Sequence, residues 1–262
     1  MFTSVGEPGS ARRNLHSLWV LSARDLRVRY ATSWLGYIWS ILDPLVMSLI
    51  YWFVFTQIFE RSVGEDPYIV FLIAALLPWV WFNAAVSDFT RAFQRDAKLV
   101  RSTSIPRIIW IGRIIVSKGT EFLLATPVLA LFAIFSGATV TWGLLWFPVA
   151  IILQAALLTG LGLILAPLCV LFEDLERTTK LVLRALFYAS PIIYSTNNLP
   201  AGFHWLEVVN PLAGIFSMYR SAFFADQWNP AAVIATAVWS VVLIVVGLMV
   251  FRRLERAVLK EL

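Results

Sequence analysis

The chain has 262 residues, 60% hydrophobic and 14% charged, with mean hydropathy +0.78 and formal net charge +5. Soluble domains are usually about 45–50% apolar and about 25% charged, because polar groups must cover their surface, so this composition argues against a soluble protein and for one embedded in a bilayer. A single cysteine, Cys169, excludes an intrachain disulfide, and with only His16 and His204, far apart, no residue set has metal-ligand spacing; neither a metal nor another cofactor is expected.

Residues 1–13 carry no apolar core of a signal peptide and read as a flexible cytoplasmic tail. In 14–33, Leu15, Leu18, Trp19, Ser22, Leu26 and Tyr30 recur at helical spacing, with Arg24 opposite and Asp25 placed to pair with Arg29 at i+4. Such a segment predicts an amphipathic helix in the interface plane. Its candidate functional residues are Trp19, Arg24, Asp25, Arg27 and Arg29, and it reads either as a docking strut for a cytoplasmic partner or as a plain membrane anchor.

Apolar runs follow at about 36–59, 68–87, 108–135, 143–172, 181–195 and 231–251, the fifth extending back to about Thr178. Basic residues alternate between the gaps. Arg24, Arg27 and Arg29 precede the first run, and the next gap holds only Arg61, beside Glu60, Glu65 and Asp66. Arg91, Arg95, Lys98, Arg101 and Arg107 fill the following gap, and the one near Ser136–Trp142 has none. Arg177, Lys180 and Arg184 precede or enter the fifth run, Arg220 stands alone in 196–230, and Arg252, Arg253, Arg256 and Lys260 close the chain. The positive-inside rule places the rich gaps in the cytoplasm and predicts an all-α membrane protein over 34–262 with six transmembrane helices and both termini cytoplasmic. The stretch 196–230 is apolar enough to suggest a seventh span, but that would export the basic tail and bury Glu207 and Arg220. It is expected to form one or two short outer re-entrant helices before the last span.

Within the spans, Asp43 lies roughly 10 Å deep beside Pro44. Lys118 and Glu121 can neutralise each other at i,i+3, and a packing ion pair is favoured there over a proton relay. Of the 12 tryptophans most lie near interfaces, whereas Trp52, Trp79, Trp81 and Trp239 lie deeper; Tyr188 and Tyr194 add hydroxyls. Flat apolar faces with a polar handle suit sugar rings, and each taken singly also suits a core or lipid-facing position. The chain contains no G-x-x-x-x-G-K-[ST] phosphate loop, so it is not expected to hydrolyse ATP. The loop 88–107, short, basic and expected to be helical up to Ser102, offers a surface for a separate motor to push.

Several segments in order resemble the membrane subunit of ABC-2-type polysaccharide exporters, the permeases for O-antigen, teichoic acid and capsule. "RDLRVRYATSWLGYIWSILDPL" resembles the family opening R-D-x-x-x-R-Y-x-x-S-x-L-G-x-x-W-x-x-x-x-P. "IAALLPWVWF", "KLVRSTSIPR", "LFEDLERTTKLVLRALFYASPIIYS" and "NPLAGIFSMYRSAF" resemble its second span, first coupling loop, second loop with fifth span, and outer segment. The resemblance implies a bacterial plasma-membrane homodimer bound to two copies of a cytoplasmic ABC ATPase. A lipid-pyrophosphate-linked polysaccharide would pass between the subunits, with membrane lipids as further partners and no nucleic acid. It implies ATPase coupling through Arg95, Lys98, Arg101, Arg107, Glu173 and Asp174, and an aromatic path built from Trp52, Trp79, Trp81, Tyr188, Tyr194 and Trp239. Two positions depart from the family: Glu173 stands where an arginine is frequent, and Asp43 where an uncharged amide is. The alternatives are an ABC-2 permease for a lipid or drug, and an integral-membrane glycolipid enzyme. The enzyme would need a carboxylate, histidine or arginine cluster at one interface, which is not visible in the sequence.

Overall fold

The computed structural model describes residues 8–31, 34–58 and 64–261. The tail up to residue 7, the end of the expected interface helix at 32–33, and Glu60 and Arg61 lie outside the described residues. Ten α-helices are α1 (Pro8–Tyr30), α2 (Trp39–Trp52, continued by a wider turn Phe53–Ile58), α3 (Tyr68–Phe89), α4 (Ala97–Ser102), α5 (Ile108–Phe135), α6 (Phe147–Leu171), α7 (Asp174–Ala189), α8 (Leu206–Val209), α9 (Ala213–Arg220) and α10 (Pro230–Glu261). Among the described residues there is no strand.

Five helical stretches are long and apolar enough to cross a membrane: Ile41–Ile58, Tyr68–Phe89, Ile108–Phe135, Trp142–Leu171 and Pro230–Glu261. They coincide with five of the six apolar runs. The remaining run begins inside α7, whose 16 residues extend only ~24 Å against a hydrocarbon core of about 30 Å.

At the centre stands α3. It carries apolar residues all round instead of on one stripe, the pattern of a fully packed helix, and its residues from Tyr68 to Trp79 are buried throughout. Helices α2, α5, α6, α7 and α9 surround it. Pro78 interrupts α3, and Gln154, fully buried on α6, donates to the Pro78 carbonyl at 2.8 Å. α6 runs along α10 through glycines: a Cβ on Gly160 would meet the Leu243 carbonyl carbon at 2.6 Å, and one on Gly247 the Gly160 oxygen at 2.7 Å. Apolar helices gain little from mutual burial in lipid, and small residues at the crossing let the backbones touch. On the opposite side of α10, Ile234, Val238, Val241, Val245 and Met249 form an exposed apolar stripe suited to acyl chains.

The segment between α7 and α10 folds back over one end of the bundle and is fastened by Arg220. This buried guanidinium donates to the carbonyls of Pro191 and Ile192, each at 2.7 Å, and to those of Tyr194 at 3.4 Å and Phe71 at 3.3 Å. It also lies 3.5 Å from the centre of the Phe71 ring. Asn210 donates to Ser190 Oγ at 2.8 Å, and the Trp146 and Trp228 rings stack at 4.5 Å.

Candidate functional site

The loop 88–107 is tied to α1 and α5 by ion pairs. Arg113 of α5 is buried and reaches Asp96 at 2.7 Å and Asp25 at 3.2 Å, while its guanidinium lies 4.7 Å from the Trp110 ring. Arg24 adds a second cation to Asp96 at 2.9 Å. Burial alone would raise the Asp96 carboxyl, but Arg113 and Arg24 hold it below the usual carboxylate range; burial dominates at Asp25 and pushes it up despite Arg113. Asp88 receives Arg29 at 3.1 Å and Lys118 at 3.3 Å, and Glu121 receives both at 3.5 Å. The i,i+3 pair of Lys118 and Glu121 is therefore made, and widened by Asp88 and Arg29. The expected i,i+4 pair of Asp25 and Arg29 gives way to Asp25–Arg113, because α1 turns that carboxylate towards α5. On α1 the side facing α5 is Leu18, Leu21, Ser22 and Asp25; Leu15, Trp19, Arg24 and Arg27 are exposed.

Arg95, Lys98 and Arg101 point outward and make no ion pair among the described residues, whereas Arg107 meets Glu255 of α10 at 3.7 Å. Glu173 and Asp174 are exposed at the start of α7. Beside them Arg91 grips Glu176 through two hydrogen bonds of 2.7 and 2.6 Å, and Lys180 reaches the same carboxylate at 2.6 Å. Those bonds hold the Glu176 carboxyl down at about 2. Sequence reading passed over Arg91 and Glu176 as pairing residues, since 85 positions separate them.

From this polar end a groove of about 420 Å³ rises between α2, α3 and α7. Its walls follow helical spacing: Trp79, Asn83 and Ser87 on α3; Lys180, Leu183, Arg184, Phe187 and Tyr188 on α7; Met47 and Tyr51 on α2. Polar groups (Ser87, Asn83, Lys180, Arg184) gather towards the 88–107 loop and aromatic rings towards the other end. Phe187 is the hub, 5.5 Å from Trp79, 6.0 Å from Tyr51 and 5.2 Å from Tyr188 between ring centres. Arg184 is exposed and makes no ion pair among the described residues.

Of the six aromatics expected to share one path, the structure brings together Trp79 and Tyr188. Trp81 faces away, stacked on Phe122 at 5.2 Å and lining a different cavity. Trp52 is partly exposed outside the groove. Trp239 donates its indole N–H to the Val208 carbonyl at 3.3 Å, and Tyr194 its hydroxyl to the Ala189 carbonyl at 3.3 Å, both near the folded-back segment.

A family model described as ABC-2 type transporter matches residues 16–224. The chain belongs to the ABC-2 type transporter family. It is 32% identical over 237 residues to the O-antigen export system permease protein RfbA of Klebsiella pneumoniae, covering 90% of this chain and 91% of the relative. It is 28% identical to the protein of the same name from Myxococcus xanthus, covering 86% of each. It is 24% identical to the polysialic acid transport protein KpsM of Escherichia coli, covering 91% and 93%.

Proposed function

We propose that this chain is the membrane subunit of an ATP-driven exporter that carries a lipid-linked polysaccharide out of the cytoplasm, two copies working with two copies of a separate ATPase. The observation that carries this reading is the groove: clustered aromatic rings for sugar faces, continued by Arg184 and Lys180 for a phosphate charge. The relatives named for O-antigen export and polysialic acid transport support the same cargo class.

In this reading α7 is the sixth span, short in itself and completed by the 190–195 stretch that Arg220 clasps. Both termini and the 88–107 loop then face the cytoplasm, where the basic residues concentrate. The segment 196–230 is re-entrant and caps the outer end, and α1 lies at the inner interface with Trp19 against lipid. The exposed Arg95, Lys98, Arg101, Glu173 and Asp174 form the ATPase seat. A push there has two ion-paired routes: Asp96–Arg113–Asp25 leads to α5 and α1, and Arg91–Glu176–Lys180 leads to the groove wall.

Tyr188 and Arg184 are both exposed, so Tyr188→Ala and Arg184→Ala test the path without breaking the core. Surface glycan export in cells, with the ATPase co-purifying normally, should fall several-fold for each. Wild-type export by the double variant would overturn the groove as the path.

A further inference from the structure

A second cavity, of about 410 Å³, lies between α2, α3 and α5 on the other side of α2–α3 from the groove. One end is charged, with Arg29, Lys118, Glu121 and Asp43; the other is apolar, with Leu77, Phe122 and Ala125. From Lys118 to Ala125 α5 rises ~10 Å, so polar and apolar ends are stacked along the helix axes. Trp39 and Asp43, exposed on α2, and the part-exposed Val80 mark its open side.

The four charges of the lining sum to zero, but Asp88, which is not part of the lining, takes up Arg29 and Lys118 as well. Arg29 and Lys118 are both engaged by Asp88 and Glu121. Asp43 has no hydrogen bond or ion pair among the described residues, although it sits in an apolar helix of mean hydropathy 1.6. A carboxylate at that depth is expensive without a counter-charge. The site thus presents one carboxylate without a counter-charge and an apolar shaft, in a volume within the range of ordinary ligand pockets.

We propose that this cavity holds a phospholipid with a primary-amine headgroup, of the phosphatidylethanolamine type. Its ammonium pairs with Asp43, its phosphate oxygens lie beside Arg29 and Lys118, and an acyl chain follows Leu77 and Ala125. A trimethylated headgroup offers Asp43 no N–H, and a phosphatidylglycerol headgroup adds negative charge to a site that already has an excess. The inference does not depend on what the groove carries.

The full chain, purified in detergent and stripped of lipid, is titrated with phosphatidylethanolamine, phosphatidylcholine and phosphatidylglycerol of identical acyl chains, and bound lipid is counted by native mass spectrometry. Phosphatidylethanolamine should bind about tenfold more tightly than the other two. Asp43→Asn should remove that preference, Asp43→Glu should keep it, and Arg184→Ala in the groove should leave it unchanged. Equal binding of the three lipids by the wild type, or a preference that survives Asp43→Asn, overturns the proposal. If Asp43→Asn does not yield monodisperse protein, Val80→Trp, which narrows the open side, must abolish the preference; unchanged binding then overturns it. A preference shown by the monomeric species and lost on dimerisation would place a second copy against Asp43 instead, and also overturns it.

Discussion

Arg113→Ala should loosen the joint between the 88–107 loop, α1 and α5. The side chain is 2% exposed and its two carboxylate partners are part-buried, Asp96 at 9% and Asp25 at 25%. Removing one member of a buried ion pair typically costs 3–5 kcal/mol, because the remaining charge is left without compensation. Here Arg24 still reaches Asp96 at 2.9 Å, which places the loss at the lower end, about 3 kcal/mol. At roughly 2 °C per kcal/mol for a chain of this size, the melting temperature followed by size-exclusion in detergent should fall by about 6 °C. The design that isolates charge from packing is the triple variant Asp25→Asn, Asp96→Asn, Arg113→Leu. It leaves no buried charge stranded, because Arg24, released from Asp96, is 43% exposed, and it should recover most of the loss, since neutralising a whole buried ionic group costs far less than removing one member. A single variant within about 1 °C of wild type, or a triple variant less stable than the single, would refute the assignment of Arg113 as the charge that holds this joint.

Other consequences can be checked separately. Arg220→Met leaves the Pro191 and Ile192 carbonyls without their donor and should lower stability by about 3 kcal/mol. Arg220→Lys should rescue little, because an ammonium cannot span four carbonyls as a guanidinium fork does; protease sensitivity of 196–229 reads the effect. Gly160→Val forces a side chain into the α10 backbone, and overpacking of this kind costs about 1–3 kcal/mol or more; the variant should lose stability where Gly202→Val, which meets nothing within 4 Å, does not. The depressed Glu176 carboxyl contributes stability that is present above the ordinary carboxylate value of 4.5 and is lost as pH falls towards about 2. Protection factors over 174–180, corrected for the intrinsic pH dependence of amide exchange, should therefore stay constant from pH 7 to 5 in the wild type and be lowered throughout that range by Glu176→Gln; protection factors that already decline between pH 7 and 5 would contradict the pairing.

The spans were legible because membrane insertion responds to the composition of a run of residues, which one sequence displays in full. Tertiary pairing was not. Asp25 has Arg29 one turn away and Arg113 on a helix 88 positions later, and only the packing of α1 on α5 decides between them. The aromatic set shows a different loss. Spacing along a run reports depth, but a path also needs one azimuth. Trp79 and Trp81 are two residues apart, about 200° around a helix, so they point to opposite sides of α3, and helical geometry alone separates them. Arg220 was read as a charge too costly for a span, and it lies outside the five stretches long and apolar enough to cross a membrane. The four carbonyls that make it affordable come from α3 and from the turn after α7, and no local pattern announces them.

The placement of polar bonds says where the bundle can move. In lipid, contacts between apolar helices specify little, and hydrogen bonds or ion pairs choose the packing. α3 is held at three heights: Asp88 by Arg29 and Lys118, the Pro78 carbonyl by Gln154, and the Phe71 carbonyl by Arg220. α7 is held only at its ends, by Arg91 on Glu176 and by Asn210 on Ser190. Between Lys180 and Tyr188, among the described residues, no α7 side chain makes a hydrogen bond or ion pair to another helix, and of these residues only Leu183 is buried. The groove thus has one wall pinned by polar bonds along its length and one that, between its ends, is restrained by apolar contacts of Leu183, Leu186 and Phe187. A displacement of the 88–107 loop pulls on Glu176 through Arg91 and is resisted at the far end by Asn210, so it tilts α7 and widens or narrows the groove while α3 stays in place. Cysteines introduced at Asn83 and Arg184 should accordingly leave less transport once joined by a crosslinker than the same double variant shows before the crosslinker is added, with ATPase binding intact. Transport that continues with α7 tethered would show that cargo does not require this wall to move.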